Sequence, residues 1–360
     1  MTATTQNKRR SLKKVLVLLA VVALIFSVGS IVAVKSLYDG YFSRFDRPEF
    51  SGYLTYGDVA SRYDRAVVAF ESGQNTLAGY IYGQEHDKGL VVIVHGRAAG
   101  AEDYLAETLY FVDQGWRVFA YDGTGSYESE GQSTRGLPQA ALDLEAALAY
   151  IEQDDALGGL PVMLYGHSWG GFAVTAVLNH SDVASAVASV SGFNSSDELL
   201  FEQMHRMMGP LVYLEYPFAW AYQTTLFGAA ARLSAVDGIN RSDAQVMIIH
   251  GQDDESIAYK GASIMAHRTE ITNPHVVYRT ADAKGRSGHD NLYRSEAAVA
   301  YIAEKNREFQ ALSDSYDGQI PRDALVRYYE GVDKRQTSEL DAELFAAIDA
   351  LFAESLAREP

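Results

Sequence analysis

The chain has 360 residues, and none of them is cysteine. A disulfide-stapled scaffold and a thiol site are therefore both impossible. Internal repeats and low-complexity segments are also missing from the sequence. No group of His, Asp and Glu has the spacing of metal ligands, so we assign no metal and no cofactor to the chain.

Basic residues are scarce relative to acidic ones. The chain has 30 Lys and Arg against 47 Asp and Glu, which gives a net charge of −17 at pH 7. Six basic residues and no acidic ones lie within the first 35 positions, so the remainder carries −23. A domain this acidic is soluble and is repelled by nucleic acids and anionic lipid surfaces. We therefore expect no nucleic-acid partner.

One long uncharged run lies near the N-terminus, from Val15 to Val34. Twenty apolar residues in a helix span about 30 Å, which is the thickness of a bilayer core. Five basic residues precede the run and only Lys35 follows it closely, which predicts a signal anchor with the N-terminus in the cytoplasm and the rest of the chain extracytoplasmic. A cleaved signal peptide with secretion is the alternative, but its apolar region is shorter and ends in a small-x-small site.

Four segments follow from this interpretation: a cytoplasmic basic segment at 1–14, a transmembrane helix at 15–34, a juxtamembrane tether at 35–62 and a domain that begins near residue 63. Helical segments, including Ala140–Gln153, separate the predicted strands of the domain. The alternation predicts an α/β domain with a mostly parallel, doubly wound sheet and an antiparallel start. The predicted strands are Arg65–Phe70, Leu77–Tyr82, Leu90–Val94, Arg117–Tyr121, Val162–Tyr165, Ala186–Val190, Val246–His250 and His275–Thr280.

The most informative motif lies between the predicted strand at 162–165 and an apolar helix-like run. It reads Gly166-His167-Ser168-Trp169-Gly170-Gly171. A sharp strand-to-helix turn forces the Ser backbone into a strained conformation, and side chains two residues before and after it would clash. The motif resembles the nucleophile elbow of the α/β-hydrolase superfamily. That resemblance implies a nucleophilic Ser168.

The superfamily's triad runs Ser, then Asp or Glu, then His along the chain. The predicted strand at 246–250 ends in Gly251-Gln252-Asp253-Asp254, which resembles the superfamily's strand-end acid and favours Asp254, with Asp253 as the neighbouring alternative. Three histidines follow these acids: His267, His275 and His289. His289 lies in a polar loop after the last predicted strand, where a base can reach a serine on another loop, so we predict His289 as the base.

Two further landmarks extend the resemblance. His95-Gly96 closes the predicted strand at 90–94, and in the superfamily this position implies an oxyanion hole formed by the backbone amides of Arg97 and Trp169. The side chain of Arg97 is expected to point to solvent or to bind a substrate anion. Asp122-Gly123-Thr124-Gly125-Ser126 resembles a turn of the branch that contains serine aminopeptidase-like and monoacylglycerol-lipase-like hydrolases, although Gly123 stands where that branch usually carries Arg. The resemblance covers residues 63–312.

An insertion at about 193–240 occupies the position at which the superfamily carries its lid. It is rich in aromatic residues and methionine, which predicts an apolar pocket for an acyl chain or a hydrophobic side chain. Phe193, Met204, Met208 and Trp220 are the candidate pocket residues. Packing of the lid onto the core is the alternative role for these side chains.

The C-terminal segment 313–360 extends beyond the resemblance. Ser338-Glu339-Leu340-Asp341 resembles a capping box, and a helical apolar face follows it. We expect this face to dock on the domain, with dimerisation as the alternative; the sequence does not determine the oligomeric state.

The sequence thus predicts a membrane-anchored, extracytoplasmic serine hydrolase that cleaves carboxylic esters through an acyl-enzyme. The alternatives are a peptidase acting on short peptides or N-terminal residues, and a catalytically silent binding protein on the same fold. The predicted partners are a small ester or short peptide and the membrane.

Overall fold

The computed structural model describes residues 3–357, and the side chains of residues 12–357. Eight strands are β1 Arg65–Ser72, β2 Asn75–Tyr82, β3 Leu90–Val94, β4 Arg117–Tyr121, β5 Val162–His167, β6 Ala184–Val190, β7 Gln245–Gly251 and β8 Val276–Ala281. The helices are α1 Ala3–Tyr41, α2 Tyr56–Val59, α3 Leu105–Asp113, α4 Gln139–Gln153, α5 Trp169–Ala176, α6 Ser196–Met208, α7 Val212–Phe227, α8 Ala235–Arg241, α9 Glu296–Ser315, α10 Arg322–Glu330, α11 Lys334–Thr337 and α12 Ala342–Leu356.

All eight strands form one sheet in the order β1-β2-β4-β3-β5-β6-β7-β8. The β1–β2 and β2–β4 pairs are antiparallel, and every later pair is parallel. The predicted parallel sheet with an antiparallel start is therefore confirmed. Because the carboxyl ends of the parallel strands meet at one edge, the loops after β3, β5, β7 and β8 converge there.

Helices cover both faces of the sheet. Strand side chains alternate between two cores: Val92 and Leu164 point to the side of α4 and α5, while Val91 and Met163 point to the side of α3 and α12. Burial on both faces explains why the central strands are apolar throughout rather than alternating with polar residues.

The N-terminal helix α1 is longer than the predicted transmembrane segment. Leu12–Tyr41 is long and apolar enough to cross a membrane, and most of it is exposed on the protein. The helix continues without a break past Val34 to Tyr41, so the first residues of the predicted tether are helical. Tyr38 and Phe42 are buried in the core beside α4, and α1 therefore packs directly on the domain. The side chains of Lys8, Arg9 and Arg10 lie outside the described part of the chain.

The insertion between β6 and β7 forms α6, α7 and α8. The helix α7 lies along α1, where Phe218 meets Phe26 edge-on and Glu215 accepts a hydrogen bond from Ser30. The helix α8 instead packs against α5 and belongs to the helical layer on that face of the sheet.

The C-terminal segment ends in α12, which packs on β6 and β7. Phe345 and Phe352 are fully buried in the core shared with α3. The helix begins at Ala342 and is capped by Asp341, whose side chain accepts the amide of Leu344, rather than by Ser338. The apolar face of this segment therefore covers one side of the sheet.

Candidate active site

Ser168 lies in a strained turn between β5 and α5. Its φ of 58° and ψ of −113° fall in a region that serine rarely adopts. The amide of Ser168 donates to the carbonyl of Val190 at 2.8 Å, which ties the turn to the end of β6. The surrounding structure thus holds a costly conformation that projects the hydroxyl out of the turn.

The three glycines of the motif permit this turn by close approach. A Cβ on Gly166 would lie 2.2 Å from the carbonyl oxygen of Gly170. A Cβ on Gly170 would lie 2.0 Å from the oxygen of Val94, and one on Gly171 would lie 2.8 Å from that of Val190. Each distance is far below van der Waals contact, so the elbow requires glycine at all three positions.

The structure brings together the three side chains predicted as a triad. The Oγ of Ser168 lies 2.8 Å from Nε2 of His289, and Nδ1 of His289 lies 2.8 Å from Oδ2 of Asp254. The other oxygen of Asp254 accepts the amides of Ser256 and Ile257 at 2.8 and 2.7 Å. Asp254 is therefore fixed by the loop after β7 and can fix the imidazole in turn.

The alternatives to Asp254 and His289 are engaged elsewhere. Asp253 accepts a hydrogen bond from Ser287 at 2.7 Å. His267 pairs with Glu198 and Glu270 on the flank of the domain. Neither residue belongs to the hydrogen-bond chain of Ser168.

Electrostatics suit His289 to accept a proton. Burial alone would raise the pKa of Asp254, but hydrogen bonds with His250 and His289 outweigh it and hold the pKa well below its ordinary value. Burial alone would lower the pKa of His289, but the hydrogen bond and the charge of Asp254 raise it above its ordinary value. The pair therefore keeps a carboxylate beside an imidazole of increased basicity.

The loop after β3 is held by His95. Its Nε2 accepts the amide of Gly123 at 2.8 Å, which leaves Nδ1 to donate to the carbonyl oxygen of Gly96 at 2.7 Å. A peptide unit is planar and trans, so the amide of Arg97 points away from that carbonyl. A Cβ on Gly96 would lie 3.5 Å from the Cβ of Ser168, which places the loop directly against the elbow.

Trp169 supplies the second amide of the predicted oxyanion hole. It is the first residue of α5, and the amides of a helix's first turn have no acceptor within the helix. Its indole is buried, and Nε1 donates to the carbonyl of Leu137 at 2.5 Å. The exposed side chain of Arg97 stacks over the ring of Tyr41 at the end of α1, 4.3 Å from the centroid, rather than extending freely into solvent.

Comparison with known proteins identifies related sequences and related folds. Residues 85–217 match the family described as serine aminopeptidase, S33. The chain is 26% identical over 229 residues to the non-heme chloroperoxidase of Streptomyces lividans, which covers 50% of this chain and 81% of that protein. A Pyrococcus furiosus esterase superposes with a TM-score of 0.52 at 19% identity, covering 76% of this chain and 97% of its own. An α/β-hydrolase from Penicillium gives 0.50 at 16% identity, covering 68% and 97%.

The chain has the α/β-hydrolase fold.

Two histidines of this α/β-hydrolase domain contribute to the site although sequence reasoning gave them no role. The hydroxyl of Tyr104 accepts the amide of Gly96 at 3.0 Å and donates to Nδ1 of His167 at 2.8 Å. The Nε2 of His167 then donates to the carbonyl of His289 at 3.1 Å. These hydrogen bonds link the loop after β3 to the loop of His289. Burial lowers the pKa of His167 to about 3, so its ring is neutral.

The second is His250, whose Nε2 lies 3.1 Å from the Oδ2 of Asp254 that also binds His289. His250 follows the apolar run of β7. In the sequence, the only sign of a role for His250 is its position close to the acid. His167 is the variable residue of the Gly-x-Ser-x-Gly motif, so the motif carries no signal for it.

A cavity of about 520 Å³ opens above Ser168 and His289. Charged residues of both signs line it, together with the rings of Tyr41, Tyr53 and Tyr293. These charged residues are Arg97, Arg206, Arg294, Asp103, Glu255 and Asp290. His167, His289 and Asp290 lie close enough for metal ligation, but the two imidazoles are engaged by the hydrogen bonds above.

The four candidate pocket residues of the insertion between β6 and β7 separate into two groups. Phe193 is buried behind the elbow and stacks on Phe172, and Trp220 is 39% exposed on α7, so neither lines the catalytic cavity. Phe193 follows β6 directly and turns into the core, which corrects the pocket assignment for it. Met204 and Met208 line a second, apolar cavity between α6 and α1.

Proposed function

We propose that this chain is a membrane-anchored serine hydrolase that cleaves carboxylic esters. Ser168 is the nucleophile, His289 is the general base and then the general acid, and Asp254 orients the imidazole. The amides of Arg97 and Trp169 stabilise the oxyanion. The observation that carries the proposal is the chain of two 2.8 Å hydrogen bonds that ends on a serine in a strained elbow.

The proposed reaction has two halves. In the first, the Oγ of Ser168 bonds to the ester carbonyl carbon while its proton passes to Nε2 of His289. The tetrahedral intermediate then loses the alcohol, which takes that proton, and an acyl-Ser168 ester remains. In the second half, water attacks the acyl carbon, His289 receives its proton, and the acid leaves as Ser168 recovers the proton.

Ester cleavage is the preferred reaction because the apolar cavity beside the site fits an acyl group. The superposed Pyrococcus furiosus protein is an esterase by name, which agrees with this choice.

A peptidase is the second candidate. Three carboxylates, Asp103, Glu255 and Asp290, line the catalytic cavity and could bind a substrate ammonium group. The match to a family described as serine aminopeptidase points the same way. Relative turnover of p-nitrophenyl acyl esters and aminoacyl-p-nitroanilides separates the two: we expect the esters to react faster, and faster anilide cleavage would favour the peptidase.

For the anchor, we propose that α1 is retained with the domain on the extracytoplasmic side. Its last turns are packed into the domain through Tyr38 and Phe42, and the basic side chains precede the apolar run. The full-length protein should appear in the membrane fraction and be degraded by protease added to intact protoplasts. A shortened form released into the medium would support the cleaved signal peptide.

Fluorophosphonate labelling tests the nucleophile. Wild-type protein should be labelled, and Ser168→Ala should abolish the label. Ser256→Ala is the matched control, because Ser256 lines the same cavity and has no contact with His289 among the described hydrogen bonds. Labelling that persists in Ser168→Ala contradicts the assignment, and no labelling of wild type together with no turnover of either substrate series supports a silent binding protein.

A further inference from the structure

A second cavity of about 590 Å³ adjoins the catalytic one. The two share four lining residues, Tyr41, Leu137, Leu199 and Gln203, so the second cavity lies directly beside the space above Ser168. Most of its other lining side chains are apolar, and three of them are methionines. An apolar space next to a nucleophile suits the hydrocarbon part of a substrate.

One wall of this cavity is the N-terminal helix itself. Residues between Ala33 and Tyr41 of α1, and Phe42 directly after it, line the cavity opposite α6. This part of α1 is fixed on the lid: Tyr38 bonds to Gln223 at 3.2 Å, Tyr222 bonds to Asp39 at 2.7 Å, and Val34 is buried against α7. The helix that is apolar enough to cross a membrane therefore also shapes the space next to the catalytic serine.

The lid reaches toward the apolar part of α1. Glu215 contacts Ser30 and Phe218 contacts Phe26, both inside the apolar run. Four large apolar side chains are exposed in and beside the turn that joins α6 to α7: Met207, Leu211, Tyr213 and Leu214. Exposed apolar patches of this kind mark membrane or protein contacts, and the adjoining helix α1, which is long and apolar enough to cross a membrane, favours a membrane here.

The second cavity forms a groove between α1 and α6. We propose that this groove holds the acyl chain of an ester lipid that enters from the bilayer along α1. The inference rests on the proposed esterase function and names its substrate class. The scissile carbonyl lies at Ser168, the chain runs between α1 and Met204, Met207 and Met208, and the alcohol leaves through the charged catalytic cavity. The anchor helix is thus part of the substrate site as well as a tether.

Burying a hydrocarbon chain has a predictable effect on rate. Each fully buried methylene contributes about 0.8 kcal/mol, which corresponds to about a fourfold gain in kcat/KM. The full-length protein in detergent micelles should therefore hydrolyse p-nitrophenyl decanoate with a kcat/KM at least about tenfold above that for the acetate, even with incomplete burial.

A substitution that fills the groove tests the role of α1. Ala33 is exposed and lines the groove, whereas the neighbouring Val32 is exposed and is not among the lining residues. Ala33→Trp should lower the decanoate-to-acetate ratio by about tenfold, since an indole displaces several methylenes. Val32→Trp adds the same ring to the same helix and should leave the ratio within about twofold of wild type.

The outcomes separate the two proposals. Acetate turnover that depends on Ser168, with a ratio that Ala33→Trp does not change, would overturn the groove and leave the esterase proposal standing. A lowered ratio in both Trp variants would also overturn the groove, because the effect would then come from membrane insertion. No turnover of any ester would contradict the esterase proposal, and the groove with it.

A decyl fluorophosphonate with a terminal diazirine provides a direct readout of chain position. After reaction with Ser168 and irradiation, cross-links should map by mass spectrometry to residues 33–42 of α1 and 199–208 of α6. Cross-links confined to other segments, or a pattern unchanged in Ser168→Ala, would contradict the proposal.

Discussion

His250 and His289 share one oxygen atom of Asp254. The Nε2 of His250 lies 3.1 Å from Oδ2, and Nδ1 of His289 lies 2.8 Å from the same atom. His250 Nε2 also lies 3.0 Å from the carbonyl of Ile257, whose amide donates to the other oxygen of Asp254. His250 therefore fixes both the acid and the loop that carries it, which makes it a positioning residue.

Loss of the hydrogen bond from His250 should raise the pKa of Asp254 and so make its carboxylate less effective beside His289. His250→Phe keeps a ring in the buried site but removes the hydrogen bond that helps to hold the pKa of Asp254 low. We expect kcat to fall by about tenfold or more, because a hydrogen bond to a charged group contributes about 1.5–3 kcal/mol and about 1.4 kcal/mol is a tenfold change in rate. The acidic limb of the pH–rate profile should also change.

His250→Gln is the control, because its amide can still donate and should restore much of the rate. Equal losses in both variants with an unchanged pH profile would show that His250 has a packing role only.

Tyr104 joins the oxyanion loop to the base loop through His167. Tyr104→Phe leaves the amide of Gly96 and Nδ1 of His167 without this partner, so it should cost about 1–3 kcal/mol of stability. Because both loops touch the reacting atoms, kcat should also fall. Thermal unfolding and ester turnover of the full-length protein measure the two effects; a variant that unfolds earlier with unchanged kcat would contradict the positional role.

The pH dependence of activity should follow His289. The base must be neutral, and Asp254 raises the pKa of His289, so kcat/KM should rise with pH through a single step above the ordinary imidazole value of about 6.5. Asp254→Asn removes the charge that raises this pKa, which should move the step to lower pH and reduce kcat by about 10³–10⁴. A step that does not move in Asp254→Asn would refute the assignment of the acid.

Stability should depend on pH through His167. Its folded pKa of about 3 lies below the unfolded value of about 6.5, so protons bind the unfolded chain preferentially between these limits. Stability therefore falls as pH decreases through this window, by about 2–3 kcal/mol from this group between pH 7.5 and 4.5.

Thermal unfolding of the detergent-solubilised protein measures this dependence. His167→Gln should have a flatter pH dependence than wild type, and His180→Gln, at an exposed histidine, should retain the wild-type slope. Parallel slopes in all three proteins would contradict the role of His167.

The parts of the fold that were predictable are those with strong local signals. Apolar runs such as Leu90–Val94 predict central strands, and the glycines around Ser168 predict a sharp turn from strand to helix. The mostly parallel sheet and its antiparallel start followed from the alternation of strands and helices, whereas the order of the strands was not predicted. Ser168, Asp254 and His289 were selected by their order along the chain, and their side chains lie together in the structure.

The features that could not be predicted from the sequence depend on contacts between distant segments. Phe193 and Trp220 have the composition of a pocket, but the direction in which each side chain points is set by packing against Phe172 or by its place on the outer side of α7. The role of His250 requires the β7 loop to fold back onto its own strand. The extension of α1 to Tyr41, and its packing on α7, depend on contacts such as that of Tyr38 with a helix more than 180 residues away.

Trapping of the acyl-enzyme tests the central claim most directly. The full-length protein is mixed with a p-nitrophenyl ester, quenched in acid within the first turnover and analysed by intact and peptide mass spectrometry. The account predicts a burst of p-nitrophenol and one acyl group per chain on the peptide that contains Ser168, with neither in Ser168→Ala. An acyl group on another residue, or wild-type turnover by Ser168→Ala, would contradict it.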